Sequence, residues 1–320
     1  MGTFSKWTEI ESIFRLKEIL SVGEVVATEK IHGTSMRIGC IEGVIRVGGR
    51  NEEFDFALSN PGTGMGFMGW LRGTSIPVKI KEVAAELEKD IIFYGEWHGV
   101  GIQKGIRYFA QEKGFRIFGL RINEDLQDWD KVAEFSAKIG VPTVPVLYRG
   151  APNMEVFDRF RLVPSVVAKE NGVDVSDNIV EGIVISAVPM QRIGQSWLIA
   201  KHKNPKFAER ASEKKAPEPI GEGVMENGSY FVNEFWTAQR LEHVLTYLRE
   251  KGIDIASPTA IGQAIRGMFD DVMKEGQPEW QALSEETQRI VGKIHPSRTK
   301  ELLEFYWRES NLGDNKKEDL

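Results

Sequence analysis

Cysteine is almost absent from this chain: Cys40 is the single one in 320 residues. A disulfide framework is therefore excluded, as is a cysteine-rich zinc site, and one thiol suits a reducing compartment. Long apolar runs are missing as well, so no stretch reads as a membrane span. The opening residues, MGTFSKWTEIESIF, lack the basic start and apolar centre of a secretory leader. There is no excess of positive charge. A formal net charge of −6 argues against holding nucleic acid by bulk charge, but leaves room for a local basic groove. The five histidines show no metal-ligand spacing. What is present, 41% apolar and 28% charged residues, is the balance of a soluble globular protein. We expect an intracellular, cytoplasmic protein long enough for two domains with cores of their own.

Charge is unevenly spread. The segment 223–320 carries 12 basic and 17 acidic residues. The stretch KHKNPKFAERASEKK, 201–215, holds six basic and two acidic residues and is the densest place for a polyanion to bind.

The first two-thirds mixes short strands with a few helices. EVVATEK, VIRVGGR, DIIFYGEW, FRIFGLRI, EGIVISAV and SWLIAKHK read as strands. IKEVAAELEK and DKVAEFSAKIG read as helices, the second closed by Gly140 with Pro142 beyond. Strands outnumber helices without regular alternation, which predicts an α+β fold of mostly antiparallel sheets. SEKKAPEPIGEG has the proline, glycine and charge of a linker. The organisation expected is a domain over 1–211, a linker over 212–223 and an all-helical domain over 224–320. In the last part Phe235, Leu241, Val244, Leu245 and Leu248 recur at helical spacing, and Ser257 and Pro258 suit an N-cap and first helical position. SEETQRIVGKI and SRTKELLEFYW read as two further helices, and NLGDNKKEDL as a frayed tail.

One lysine stands out by position. In VVATEKIHGTSMRIG a strand ends at Lys30 and a turn comes next with His32 and Gly33. The next strand then begins, Met36, Ile38 and Cys40 alternating with Arg37 and Gly39. Lys-x-x-Gly alone means little, since about one or two chance matches are expected at this length; Lys169 to Gly172 is another, at a helix-to-turn junction. The order of residues downstream of Lys30 carries more weight. Arg50 comes in RVGGRN, Glu96 after a glycine in IIFYGEW, and Phe118 in FRIFGL. Glu181 heads the strand EGIVI, and Lys201 and Lys203 share one strand face in LIAKHK. Singly these read as edge charges, a core aromatic and a solubilising face. That reading does not account for all of them in this order, each on a strand or at its end.

The set resembles the covalent nucleotidyltransferase superfamily of ATP-dependent ligases and capping enzymes, over roughly residues 24–210. EKIHGTS is most similar to the RNA ligase 2 branch; DNA ligases and capping enzymes usually carry Asp where this chain has His32. The resemblance implies an ATP-dependent RNA ligase. Lys30 would attack the α-phosphate of ATP, AMP would pass to a 5′-phosphate, and a 3′-hydroxyl would displace AMP, as in RNA repair. It also implies roles for the other residues. Lys201 and Lys203 would face the α-phosphate, His32 would act in the later steps, Arg50 would hold phosphate, and Glu96 would bind the ribose. Phe118 would stack on adenine, Glu181 would support Mg2+ or Mn2+, and Glu29 and Ile31 would flank the nucleotide. The implied partner is RNA with nicked or duplex-like ends; no membrane is implied, and oligomeric state stays open. Two positions depart from the branch: Ser35 stands where Asn is usual, and Gly119-Leu120 where Asp-Ile is usual. A DNA ligase, a capping-type guanylyltransferase and a catalytically silent RNA-binding protein on the same fold remain alternatives.

A nucleophilic lysine needs its pKa lowered from about 10.4 by burial or neighbouring cations, which Lys201 and Lys203 would supply. Two decoys are set aside. Gly64 to Gly69 fits GxGxxG but comes after no good parallel strand and opens no crossover helix, so it reads as a mobile loop. Glu42-Gly43-Val44-Ile45 mimics EGIVI but precedes Arg50.

Overall fold

A computed structural model describes residues 2–207, apart from 177 and 195, and residues 224–315, apart from 256. The linker expected over 212–223 lies outside the described residues. The chain divides into two compact units, 1–204 and 205–320.

The first unit is built on two sheets. The strands are β1 (Glu11–Ser12), β2 (Glu24–Glu29), β3 (Thr34–Ile41), β4 (Val44–Gly49), β5 (Glu53–Phe54), β6 (Ile91–Gly99), β7 (Lys113–Ile122), β8 (Asp125–Leu126), β9 (Val146–Gly150), β10 (Gly182–Val188), β11 (Arg192–Ile193), β12 (Ser196–Trp197) and β13 (Ile199–Lys203). One sheet runs β5-β4-β3-β6-β7-β8 and the other β1-β13-β10-β2-β9; β11 and β12 pair alone. All pairings of these strands are antiparallel except β1 with β13. The α+β, mostly antiparallel architecture is thus as the strand pattern predicted.

Period-two alternation assigns the faces. Met36, Ile38, Ile91, Phe93, Phe115 and Ile117 point from the six-stranded sheet into the largest core. That core is closed by α1 (Phe67–Arg72), α2 (Ile76–Leu87) and α3 (Trp129–Ile139). The other face carries Ile41, Ile92, Tyr94 and Leu126, which meet Ile199 and Val184 of the second sheet and Trp197 of β12. The outer face of the second sheet buries Ala27, Ile183, Ile185 and Ala200. Phe157 of α4 (Met154–Phe160) covers it, and α5 (Val166–Glu170) comes next in the chain. The two sheets therefore face each other, and residues at their strand ends line the space between.

One reading of the loops changes. A helix does open inside the glycine-rich stretch: Gly66, at φ 90°, caps α1, and Phe67, Met68 and Leu71 anchor it in the core. Three buried apolar side chains within five residues outweigh the glycines. The preceding β5 has two residues and pairs antiparallel to β4, so no dinucleotide-binding crossover exists there.

The second unit is helical: α6 (Val224–Phe235), α7 (Ala238–Glu250), α8 (Pro258–Gln281) and α9 (Glu285–Asn315). Its core holds Phe231, Trp236, Leu241, Leu245, Met268, Val272, Val291 and Leu303. The two last helices expected are one. α9 runs through Pro296 and takes in residues 311–315, read from sequence as frayed. Proline in a helix interior removes one hydrogen bond; here the apolar stripe on both sides of it, Val291 before and Leu302 and Leu303 after, keeps the helix in one piece. Among the described residues no helix is long and apolar enough to cross a membrane.

Candidate active site

Lys30 comes directly after β2, and its backbone N–H donates to the Gly182 carbonyl at 3.0 Å. Strand alternation sends Ala27 to the outer core, so Lys30 projects into the space between the sheets. There it meets Glu181, the residue just before β10. Lys30 Nζ lies 2.7 Å from Glu181 Oε1, Lys203 Nζ lies 3.2 Å from the same oxygen, and His32 Nδ1 lies 3.2 Å from Oε2. One carboxylate thus gathers three of the four residues expected to act in chemistry. Glu181 is 1% exposed, while the Lys30 side chain keeps 23% exposure, so the Lys30 amine can be reached from solvent.

The charges are tuned by burial and by each other. Burial lowers the Lys30 amine below its usual value; Glu181 opposes this, and Lys203 adds to the lowering. Burial opposes ionisation of Glu181, but Lys30, Lys203 and His32 outweigh it and hold the carboxyl well below the usual range. Glu96, on β6, is pushed up to about 7 by burial, with Lys30 opposing and Glu181 adding to the rise; Arg50 and His32 also act on it. Glu96 and Arg50 therefore belong to the same electrostatic cluster.

The turn between Lys30 and β3 needs its glycine for room. A Cβ on Gly33 would sit 2.3 Å from the Trp97 carbonyl oxygen, closer than any side chain tolerates. The spacing Lys-x-x-Gly is thus a packing requirement between the turn after Lys30 and β6.

The other expected residues are spread around this cluster. Lys201 lies on the same face of β13 as Lys203, opposite Val184 in register, while His202 points to the outer face and meets Asp158 at 2.8 Å. Phe118 is on β7 between the sheets. Ile31 is buried, 3% exposed. The Glu29 carboxylate is turned away from Lys30. It accepts from Ser165 Oγ at 2.6 Å and from the N–H groups of Val166 and Val167 at 2.9 and 3.3 Å, the first turn of α5. Three donors at a helix start hold this carboxylate.

Several supporting residues were not anticipated. Tyr108, 1% exposed, accepts the His32 N–H on its hydroxyl at 2.7 Å. Gln103 Nε2 donates to the Gly33 carbonyl at 3.3 Å. Both come from the connection between β6 and β7. Asn178 ties that connection down by exchanging hydrogen bonds with the Arg107 backbone at 2.8 and 2.9 Å. Buried Arg37 donates to the Gly49 carbonyl and reaches the Arg50 carbonyl at 3.4 Å, fixing the turn that carries Arg50.

A hard divalent cation suits this donor set. Glu181 is an oxygen donor held ionised by Lys30, Lys203 and His32, and Glu96, pushed up to about 7 mainly by burial with Glu181 adding, is a second oxygen donor that a nearby cation would favour in its ionised form.

The antiparallel two-sheet fold thus gathers a desolvated lysine, a second lysine and two acidic groups in one place. The sequence pattern of the RNA ligase family matches residues 23–202, more than half of the chain, and takes in Lys30, His32, Glu96 and Glu181 but stops one residue short of Lys203. The chain belongs to the RNA ligase family. Among solved structures it is similar to an RNA ligase of Naegleria gruberi with pyrophosphate. The identity is 20%, over 63% of this chain and 57% of that one, with a TM-score of 0.47. It is also similar to a lysine-to-alanine variant of that enzyme with ATP and manganese, at 18% identity over 65% and 58% with a TM-score of 0.48. A glutamate-to-alanine variant with AMP and manganese matches at 19% over the same shares, TM-score 0.48. The match thus spans less than two-thirds of those chains. No curated protein sequence matches significantly.

Proposed function

We propose that this protein is an ATP-dependent ligase that joins 3′-hydroxyl and 5′-phosphate RNA ends in RNA repair. The observation that carries the reading is the meeting of Lys30, Lys203 and His32 on the Glu181 carboxylate. Lys30, its pKa lowered by burial, gives up its ammonium proton and attacks the α-phosphorus of ATP. A P–N bond forms, the P–O bond to pyrophosphate breaks, and the product is lysyl-AMP. Lys203, with Lys201 beside it on β13, faces the charge building on the α-phosphate. Glu96 receives the ribose, Arg50 a phosphate, and Phe118 the base. A 5′-phosphate oxygen then displaces Lys30 from the adenylyl group, and an RNA 3′-hydroxyl displaces AMP, with His32 beside the reacting phosphate. Mg2+ or Mn2+, held by Glu181 with Glu96 nearby, would supply charge neutralisation at the transferring phosphate.

The helical unit is the part we assign to gripping RNA of nicked or duplex-like form. Along α9, Arg289 and Arg298 are engaged with Glu285 and Glu301 at 3.9 and 3.1 Å. Lys293 and Lys300, one heptad apart on the same helix face, are exposed, as is Arg266 on α8. Phosphate contacts of this kind give salt-dependent affinity.

The test is sealing of a nicked RNA duplex with labelled 5′-phosphate, alongside labelling of the protein by ATP carrying a radioactive α-phosphate. Ligation with ATP and not GTP supports the reading against a capping activity. Labelling without any RNA sealing would overturn the ligase assignment. The double variant Lys293→Glu/Lys300→Glu is expected to keep ATP labelling and lose duplex binding; unchanged binding at every salt concentration would remove the helical unit from the RNA site.

A further inference from the structure

The aromatic strand departs from the pattern of related enzymes at Gly119, and the structure shows what occupies the space. A Cβ on Gly119 would lie 2.5 Å from both Cη2 and Cζ3 of Trp7 and 3.3 Å from its Cε3. Gly119 has no left-handed φ, so it is glycine for room and not for conformation. The indole lies directly on the β7 backbone at the residue after Phe118.

Phe118 itself is held unusually. Tyr94 pairs with Gly119 and Gly95 with Ile117, so Phe118 is the extra residue of a β-bulge. A bulged residue has no ladder partner to fix its direction, and bulges commonly re-aim a side chain. Trp7 supplies that constraint. Its ring meets Phe118 edge-on, with centroids 5.2 Å apart at 70°, and Tyr94 at 4.9 Å. The segment bearing Trp7 is tied to the same face. Tyr94 donates from its hydroxyl to the Ser5 carbonyl at 3.0 Å. Phe4 lies under the Arg37 guanidinium at 4.7 Å. The Trp7 indole N–H is buried with no hydrogen-bond partner, so this tryptophan is not placed to satisfy its own polar group.

We infer that Trp7 is a positioning residue: seated on Gly119, it fixes the bulged Phe118 as the stacking platform for the nucleotide base. Trp7 and Gly119 form a size-matched pair, the large ring needing the missing Cβ. The inference rests on the reading that Phe118 stacks on the base.

The experiment measures single-turnover lysyl-AMP formation against ATP concentration, with thermal unfolding in parallel, for Trp7→Leu, Gly119→Ala, their combination, and Phe118→Ala. Base–aromatic stacking is worth enough that misplacing the platform shifts half-saturation about tenfold. Trp7→Leu and Gly119→Ala are each expected to raise the half-saturating ATP concentration about tenfold, with the rate at saturation retained. The double variant should recover much of the loss, because the new methyl fills the space the indole leaves. A folded Trp7→Leu with unchanged half-saturation overturns the inference, as does a double variant whose loss is the product of the two single losses. If Trp7→Leu does not fold, Gly119→Ala alone and with Trp7→Phe decides by the same measure. Phe118→Ala separates the two levels. If it leaves half-saturation unchanged, the stacking reading fails; if it weakens ATP while Trp7→Leu does not, only the role of Trp7 fails.

Discussion

Replacing Lys203 by methionine removes a charge while keeping most of the buried stem, and the structure sets the size of the effect. Lys30 and Lys203 lie 2.7 and 3.2 Å from one Glu181 oxygen, so the two ammonium groups are at most about 6 Å apart. At an effective dielectric of about 20, their repulsion is worth about 3 kcal/mol. The exposure of Lys30, 23%, admits solvent screening and reduces this by about half, to about a tenfold effect on an equilibrium. Losing Lys203 also leaves Glu181 with one cation fewer, which tightens its hold on Lys30. Both changes raise the Lys30 pKa, and the neutral amine becomes about tenfold rarer at neutral pH. The assay is the single-turnover rate of lysyl-AMP formation at saturating ATP, monitored from pH 6 to pH 10. Lys203→Met is expected to be slower by about tenfold or more at neutral pH, with the gap closing as pH rises. A defect of constant size at every pH would refute this reasoning and leave Lys203 as a phosphate contact alone.

Two further outcomes are expected at the site. Tyr108→Phe leaves the buried His32 N–H without its acceptor, at a cost of about 1–3 kcal/mol; lysyl-AMP formation and RNA sealing should both slow about tenfold with little change in half-saturation by ATP, and a shift confined to half-saturation would contradict this. Glu96 sits at about 7 in the folded protein against a usual 4.5, so the native state binds the extra proton and the ligand-free protein loses stability as pH rises from about 4.5 to about 7, by roughly 3 kcal/mol at most. Glu96→Gln removes that slope, and thermal unfolding across this range should become flatter than in the parent; an unchanged slope would mean that Glu96 is not the titrating group.

The nucleophile turn was legible because its signals are local. A strand ending in Lys30, a glycine with no room for a Cβ, and a second strand with period-two alternation occupy 13 consecutive residues, 27–39. Lys203 and His202 were sent to opposite faces by strand parity alone. What could not be read were contacts made across long chain separations. Ser165 and the start of α5 claim Glu29 from 136 residues away. Tyr108 and Gln103 reach the turn from a connection with no periodicity to announce them. Trp7 sits in a segment whose only regular structure is its pairing further on. In the helical unit, the sequence around Pro296 reads as a break between two helices, yet α9 runs through it. Tertiary burial of an apolar stripe overrode local propensity there.

The central claim is that Lys30 becomes covalently adenylylated. Intact-mass measurement after incubation with ATP and Mg2+ or Mn2+, with peptide mapping afterwards, tests it directly. The expected result is a gain of one adenylyl group per chain, located on Lys30, sensitive to acid, and absent from Lys30→Ala. No mass gain in the folded parent protein, or an adenylyl group that persists in Lys30→Ala, would contradict it.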